Sequence, residues 1–185
     1  MIELKQRIFN GEIKVIIKAI KERRSVRKYL ENPIPREEIK ALLEAAMLAP
    51  SACNSRPWRF VVITQRETLN KLADNHNHAK MLYKAPVAII ICALAKEQAK
   101  NDIAKDFYPQ DCAAATQNIL LQATEMGLAS CWCGVYPKEP FVAAVNEILG
   151  LPEDEIPFNI IAIGKGEDLP KIRGFYEAEK VRWIE

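Results

Sequence analysis

A layered α/β or α+β domain is the fold class predicted by the order of hydrophobic patterns along this 185-residue chain. Segments with apolar residues at helical spacing alternate with short runs rich in β-branched and aromatic residues. One such run, Val87-Ala88-Ile89-Ile90-Ile91-Cys92, is apolar on both faces and therefore belongs in the middle of a sheet. No internal repeat and no linker composition divides the chain, and its length suits one domain, residues 1–185, with a substantial core.

The first ten residues carry no clear period. From Glu12, the residues Ile13, Ile16, Ile17 and Ile20 recur at helical spacing and predict a first helix to about Glu22. Pro33 and Pro35 then break the chain. Pro35 suits a first helical position, with Glu37 and Glu38 at the positive end of the helix dipole. Ile39, Leu42, Leu43, Ala46 and Met47 give this second helix its inward face, and Pro50 stops it. Residues 50–57, with proline at both ends and small polar residues between, form a loop. Trp58 to Ile63 reads as a strand, and Glu67 to Asn75 as a short helix with Leu69 and Leu72 inward. The polar segment Lys96 to Lys105 is expected to be a mobile connection. The longest helix begins at Asp106 or Tyr108 and reaches Met126, where Gly127 supplies a left-handed cap. Leu128 to Val135 predicts a strand, Glu139 to Leu149 a helix capped by Gly150, and Phe158 to Ile163 a last strand. Gly164-Lys165-Gly166 ends that strand, and a charged tail runs to Glu185.

Twenty-six basic and 24 acidic residues leave a formal net charge of +2, too balanced for nucleic acid binding as a main activity. The longest nearly unbroken apolar run, Ala85 to Ala95, falls short of the ~18–20 residues a membrane-spanning helix needs. Met1-Ile2-Glu3-Leu4-Lys5 lacks the basic start and apolar segment of a secretory signal. Five cysteines, an odd number and mostly in apolar segments, fit a reduced, cytoplasmic protein better than a disulfide scaffold. Cys131-Trp132-Cys133 is expected to put its thiols on opposite faces of a strand, poorly placed for a shared metal. His76 and His78 have no carboxylate or cysteine at ligand spacing, so no metal site is expected. Trp58 and Phe60 read as core aromatics rather than stacking platforms, and Cys53 shows no base or resolving partner that would make it catalytic.

The most distinctive stretch is Arg23-Arg24-Ser25-Val26-Arg27-Lys28-Tyr29, which puts four positive charges into six residues around a serine. In extended backbone Arg23, Ser25 and Arg27 share a side. Guanidinium forks and a hydroxyl suit a phosphate; the alternative is a solvated basic turn.

This stretch, together with Ala49-Pro50-Ser51-Ala52-Cys53-Asn54-Ser55-Arg56-Pro57-Trp58 and Gly127-Leu128-Ala129-Ser130-Cys131-Trp132-Cys133-Gly134, resembles the FMN-dependent nitroreductase family, over roughly residues 12–175. The resemblance implies an α+β fold with a mixed, mainly antiparallel sheet flanked by helices, in an intertwined homodimer whose tail, about residues 166–185, crosses to the partner. It implies that Arg23 and Ser25 hold the FMN phosphate and that Arg27 lies near flavin N1 and the C2 carbonyl, with Arg24 nearby. A fixed cation there stabilises the charge left by two-electron reduction. Pro50, Ser51, Asn54 and Arg56 would reach the cofactor from a loop that in such proteins often belongs to the neighbouring subunit. Backbone amides near Trp132, Cys133 and Gly134 would face N5, and Lys165, Lys171 and Arg173 would return to the phosphate. Arg56 departs from the glutamine common before the Pro-Trp pair, and the short 96–105 segment leaves little room for the helical insertion of larger members. The implied activity is hydride transfer from NADH or NADPH through flavin N5 to a nitroaromatic or quinone, in alternating half-reactions and with no catalytic side chain. A specialised flavin reaction such as dehalogenation, an FMN carrier or redox sensor, and a helical interaction module remain open readings.

Overall fold

The computed structural model describes residues 8, 9, 12, 13, 16–171, 174 and 176–185. It opens with a minimal antiparallel pair, β1 (Ile8–Phe9) and β2 (Glu12–Ile13). The first helix, α1 (Lys18–Glu22), has five residues. The helix expected from Glu12 is therefore corrected: Glu12 and Ile13 pair as strand, and Ile16, Ile17 and Ile20 are exposed. Their helical spacing marks an apolar face that nothing described in the same chain covers, and so short a helix gains little from propensity alone.

The chain continues through β3 (Tyr29–Leu30), α2 (Arg36–Met47), β4 (Trp58–Ile63), α3 (Arg66–Asn75), β5 (Val87–Ala93) and α4 (Ala95–Gln98). It then forms α5 (Tyr108–Glu125), β6 (Ala129–Gly134), α6 (Glu139–Leu149) and β7 (Ile156–Gly166). Strand β7 is the axis of the sheet. One edge pairs with β5, which in turn pairs with β4; the other edge pairs first with β6 and then, farther along, with β3. All these ladders are antiparallel, and a single parallel bridge, Ser25 to Ser130, makes the sheet mixed.

Every residue of β5 is buried, as its two-sided apolar composition requires. Ala88, Ile90 and Cys92 pack on one face under α3 and α6, while Val87, Ile89, Ile91 and Ala93 pack on the other under α2 and α5. Cys131 and Cys133 both lie on the first face and Trp132 on the second. The expectation of opposite thiol faces is thus corrected, because side chains two residues apart in a strand point the same way. The turn from α5 into β6 has the expected glycine cap. Gly127 takes φ +70°, its N–H donates to Thr124 at 3.1 Å, and the Leu128 N–H reaches the Ala123 carbonyl at 2.8 Å. Residues 96–105 are more than a connection: they contain the end of α4, and Gln98 and Ala104 are buried. The polar sequence hid this, because Gln98 is buried with its amide hydrogen-bonded.

Candidate cofactor site

The basic stretch runs along the outer edge of β6, where the Val26 N–H donates to the Ser130 carbonyl at 3.0 Å. Extended backbone there turns Arg23, Arg24, Ser25 and Arg27 into a cavity of about 280 Å³ that Pro170 and Lys171 complete. Four cationic side chains and one hydroxyl thus converge from segments almost 150 residues apart. Arg24 Nε is buried with no hydrogen-bond partner among the described residues. A donor left in that state costs free energy unless an acceptor arrives. Lys165 faces elsewhere, into a cavity of about 400 Å³ shared with Arg24 and Glu22. Arg173 lies outside the described residues.

Arg27 also lines a second cavity, of about 480 Å³, with Trp132, Cys133 and Gly134 at the end of β6. The opposite wall is the segment after α3, namely Asn77, His78, Lys80 and Met81. The sequence raised His78 only as a metal-ligand candidate and did not single out Asn77, Lys80 or Met81; the run Asn75-His76-Asn77-His78 ahead of Lys80 marks a polar, donor-rich loop, but its proximity to β6 is a tertiary fact. His76 holds the two walls together. It is 2% exposed, stacks on Phe141 with ring centroids 4.0 Å apart, and its Nδ1 accepts the His78 N–H at 3.2 Å. Nε2 then carries the proton and donates to the Gly134 carbonyl at 2.8 Å.

Cys131 and Cys133 line the same cavity. The Cys131 thiol is lowered to about 7, chiefly because Cys133 donates a hydrogen bond to its thiolate, with the Arg27 charge, a Ser25 hydrogen bond and the Arg23 charge adding to this against burial. Cys133 moves in the opposite direction, raised by holding that proton and by burial. The pair therefore gives up its first proton easily and keeps its second.

The 50–57 loop does not join either cavity within one chain. Pro50, Ser51, Asn54 and Arg56 instead form a tight, exposed turn: Ser51 Oγ accepts the Arg56 N–H at 2.9 Å. Cys53, Asn54 and Arg56 take φ of 50°, 53° and 49°, the left-handed region. Such conformations cost roughly 1–3 kcal/mol each and persist only where surrounding contacts hold them. The anchor is Asp111, 6% exposed in the first turn of α5. Its carboxylate accepts the Ala52 N–H at 3.1 Å and the Gln98 amide at 2.7 Å, and the same Gln98 amide reaches Ser55 Oγ at 3.0 Å. A lone acid on a buried helix face was the sequence clue to this anchor. Among the described residues no group of three or more histidine, cysteine, aspartate or glutamate side chains could hold a metal ion, and no helix is long and apolar enough to cross a membrane.

The Nitroreductase family model matches residues 20–76 and 74–165. A relative from Methanothermobacter thermautotrophicus, named "Putative NADH dehydrogenase/NAD(P)H nitroreductase", is 40% identical over 166 residues, covering 90% of this chain and 85% of its own. An FMN-dependent nitroreductase from Clostridium difficile R20291 superposes with a TM-score of 0.81 at 31% identity, over 92% of this chain and 99% of that one. A Desulfovibrio desulfuricans protein described as "a putative nitroreductase in complex with FMN" gives a TM-score of 0.75 at 26% identity, over 90% of this chain and 95% of that one. With the family model spanning the arginine stretch, the loop and β6 alike, the chain belongs to the nitroreductase family.

Proposed function

We propose that the chain is an FMN-dependent oxidoreductase that uses NADH or NADPH to reduce an electron-poor small molecule, a nitroaromatic or a quinone. The observation that carries this is the pair of cavities that share Arg27, one lined by four cationic side chains and a serine, the other lying along the end of β6. The names of the relatives, which include FMN-dependent and NAD(P)H-linked enzymes, support the same reading. The donor set fits: Arg23, Arg24, Ser25 and Lys171 offer charge-assisted hydrogen bonds to a phosphate, and Arg24 Nε, which has no partner among the described residues, is a donor for it. Arg27 presents a fixed cation to both cavities, and Asn77 and Lys80 add donors across the second. When bound, FMN supplies the two-electron chemistry, taking hydride from the reduced nicotinamide and passing it to the acceptor in alternating half-reactions. The side chains bind, orient and neutralise charge; none is required to move a proton.

The functional unit in this proposal is a homodimer of single FMN-binding domains, with the 50–57 loop and the tail from about residue 166 reaching the partner. Exposed Ile16, Ile17, Ile20 and Leu48, and in the tail exposed Trp183 and Ile184, support it, since large apolar side chains left open to water in this number suit an interface. Ile17, Ala45, Leu48 and Leu121 border one open groove of about 550 Å³. A cytoplasmic setting is supported by five free cysteines.

The test is the visible spectrum of the purified protein with identification of the released cofactor, followed by anaerobic stopped-flow reduction with NADH and NADPH. FMN near one per chain and bleaching within the turnover time are expected. FMN without bleaching would favour a flavin carrier or sensor, and a protein that neither carries nor takes up FMN would end the proposal. Arg23→Ala should lose a charge-assisted contact of about 1.5–3 kcal/mol, roughly 10- to 150-fold in FMN Kd.

A further inference from the structure

The cavity of about 400 Å³ that Lys165 faces is distinct from the two assigned to the cofactor. Alternation along the extended arginine stretch builds its near wall: Arg24, Val26 and Leu30 line it, whereas Arg23, Ser25 and Arg27 line the cationic cavity. Arg24 borders both. The far wall comes from the turn between α5 and β6 and from the end of β7, where Lys165 supplies a second cation. Val26 and Leu128 are buried, while Leu30 and Leu169 are exposed, so apolar surface runs from the interior to the rim. Gly166 keeps the space between these walls open. A Cβ there would come within 3.2 Å of Ala129 Cβ and Leu169 Cδ2 and 3.3 Å of Val26 Cγ1, all on residues that line the cavity. Among the described residues neither Arg24 nor Lys165 has an ion-pair partner, and Glu22, at the same cavity, pairs with neither. Two cations and one carboxylate leave a surplus of one positive charge in an apolar cleft. Its complement is a monoanion with a hydrocarbon body.

We propose that this cavity binds a small aliphatic monocarboxylate, its carboxylate held by Arg24 and Lys165 and its hydrocarbon packed on Val26, Leu128 and Leu169. A guanidinium fork matches the plane of a carboxylate, and the ammonium adds a point charge. Each methylene that the apolar wall takes from water strengthens binding about fourfold. Glu22 limits the charge, since a dicarboxylate would bring its second anion against it. Arg24 ties this site to the cationic cavity. A guanidinium has five N–H donors, so it can serve an oxygen on each side, but two anions then share one positive charge. Occupancy of the two cavities is therefore antagonistic, and by linkage each anion weakens the other by the same factor. That antagonism rests on the FMN reading; the carboxylate site does not.

The test titrates isocaproate into the full-length, isotope-labelled protein and follows its backbone amides by nuclear magnetic resonance. Saturable shifts are expected at Gly127 and Gly166, which line this cavity, and not at Gly134, which lines the one beside β6. Isohexanol, the uncharged counterpart, should bind at least about tenfold more weakly, and Lys165→Ala should weaken isocaproate by a similar factor. Lys165 is exposed, so its replacement costs little stability, and Lys165→Arg should restore affinity. Lys171→Ala, which changes the cationic cavity alone, should leave isocaproate affinity unchanged. When FMN is added, each ligand should raise the Kd of the other by one common factor. The site is overturned by an absence of saturable shifts, by shifts confined to Gly134, by equal binding of the alcohol, or by unchanged affinity in Lys165→Ala. An FMN Kd unmoved by saturating isocaproate overturns the antagonism through Arg24. A protein that shows the expected shifts but takes up no FMN refutes the cofactor reading and upholds the carboxylate site.

Discussion

Replacing His76 with phenylalanine isolates the hydrogen bonds that tie the two walls of the second cavity, between the end of β6 and the segment after α3. Phenylalanine keeps the stack on Phe141, whose centroid lies 4.0 Å away, but can neither accept the His78 N–H nor donate to the Gly134 carbonyl. Each lost hydrogen bond costs about 1–1.5 kcal/mol where the orphaned backbone group keeps some access to water, so His76→Phe should lose about 2–3 kcal/mol. For a chain of this size that lowers Tm by roughly 5–10 °C. His76→Ala also gives up the stack, worth about 0.5–1.5 kcal/mol, and leaves a void, so it should be worse. His76→Gln, whose amide both donates and accepts, should recover part of the loss. Urea denaturation of all variants gives the ranking, and FMN titration shows whether cavity geometry follows stability. A His76→Phe protein within about 0.5 kcal/mol of wild type would refute the clamp, since that is the scatter of neutral surface substitutions.

Asp111→Ala leaves the Ala52 N–H and the Gln98 amide without their acceptor, so it should destabilise by about 2–4 kcal/mol and speed proteolysis within residues 51–56, checked by limited digestion. Burial pushes the Cys92 and Cys112 thiols up to about 12. Both stay protonated in the fold while the unfolded chain ionises near 9, so their contribution is full below pH 9 and drains away as pH rises towards 12; denaturant midpoints measured across that window should fall. A thiol reagent at pH 8 should label Cys53 fast and the deeply buried Cys92 and Cys112 only on unfolding. In the proposed homodimer, Ile17→Glu places a charge on the exposed apolar face beside α1, and sedimentation should show dissociation to monomers together with loss of FMN.

What the sequence revealed and what it hid divide along a physical line. Local rules located α2 behind Pro35, the α5 terminus at Gly127, and β5 by its unbroken apolar run. The arginine stretch was legible as a candidate anion site because its chemistry is contained in seven consecutive residues. Strand β3 was not legible: two residues are too few to show a period, and their partners Lys165 and Gly166 are remote in sequence. The His76 clamp was hidden for the same reason, since its Gly134 partner is 58 residues away. The apolar period from Ile13 to Ile20 was real, yet it described a surface and not the length of a helix.

The placement of β3 and β6 along successive lengths of one edge of β7 bears on how the molecule assembles. Tyr29 reaches across 133 residues to donate its hydroxyl proton to the Ala162 carbonyl, and Val26 is held by Ser130 on β6. These closures are entropically costly until β5, β6 and β7 have already formed the surface they close onto. The arginine segment is therefore expected to dock late in folding, onto a sheet already formed. A nascent chain emerging without residues 156–166 has no template for its N-terminal arm, so its cationic residues are dispersed.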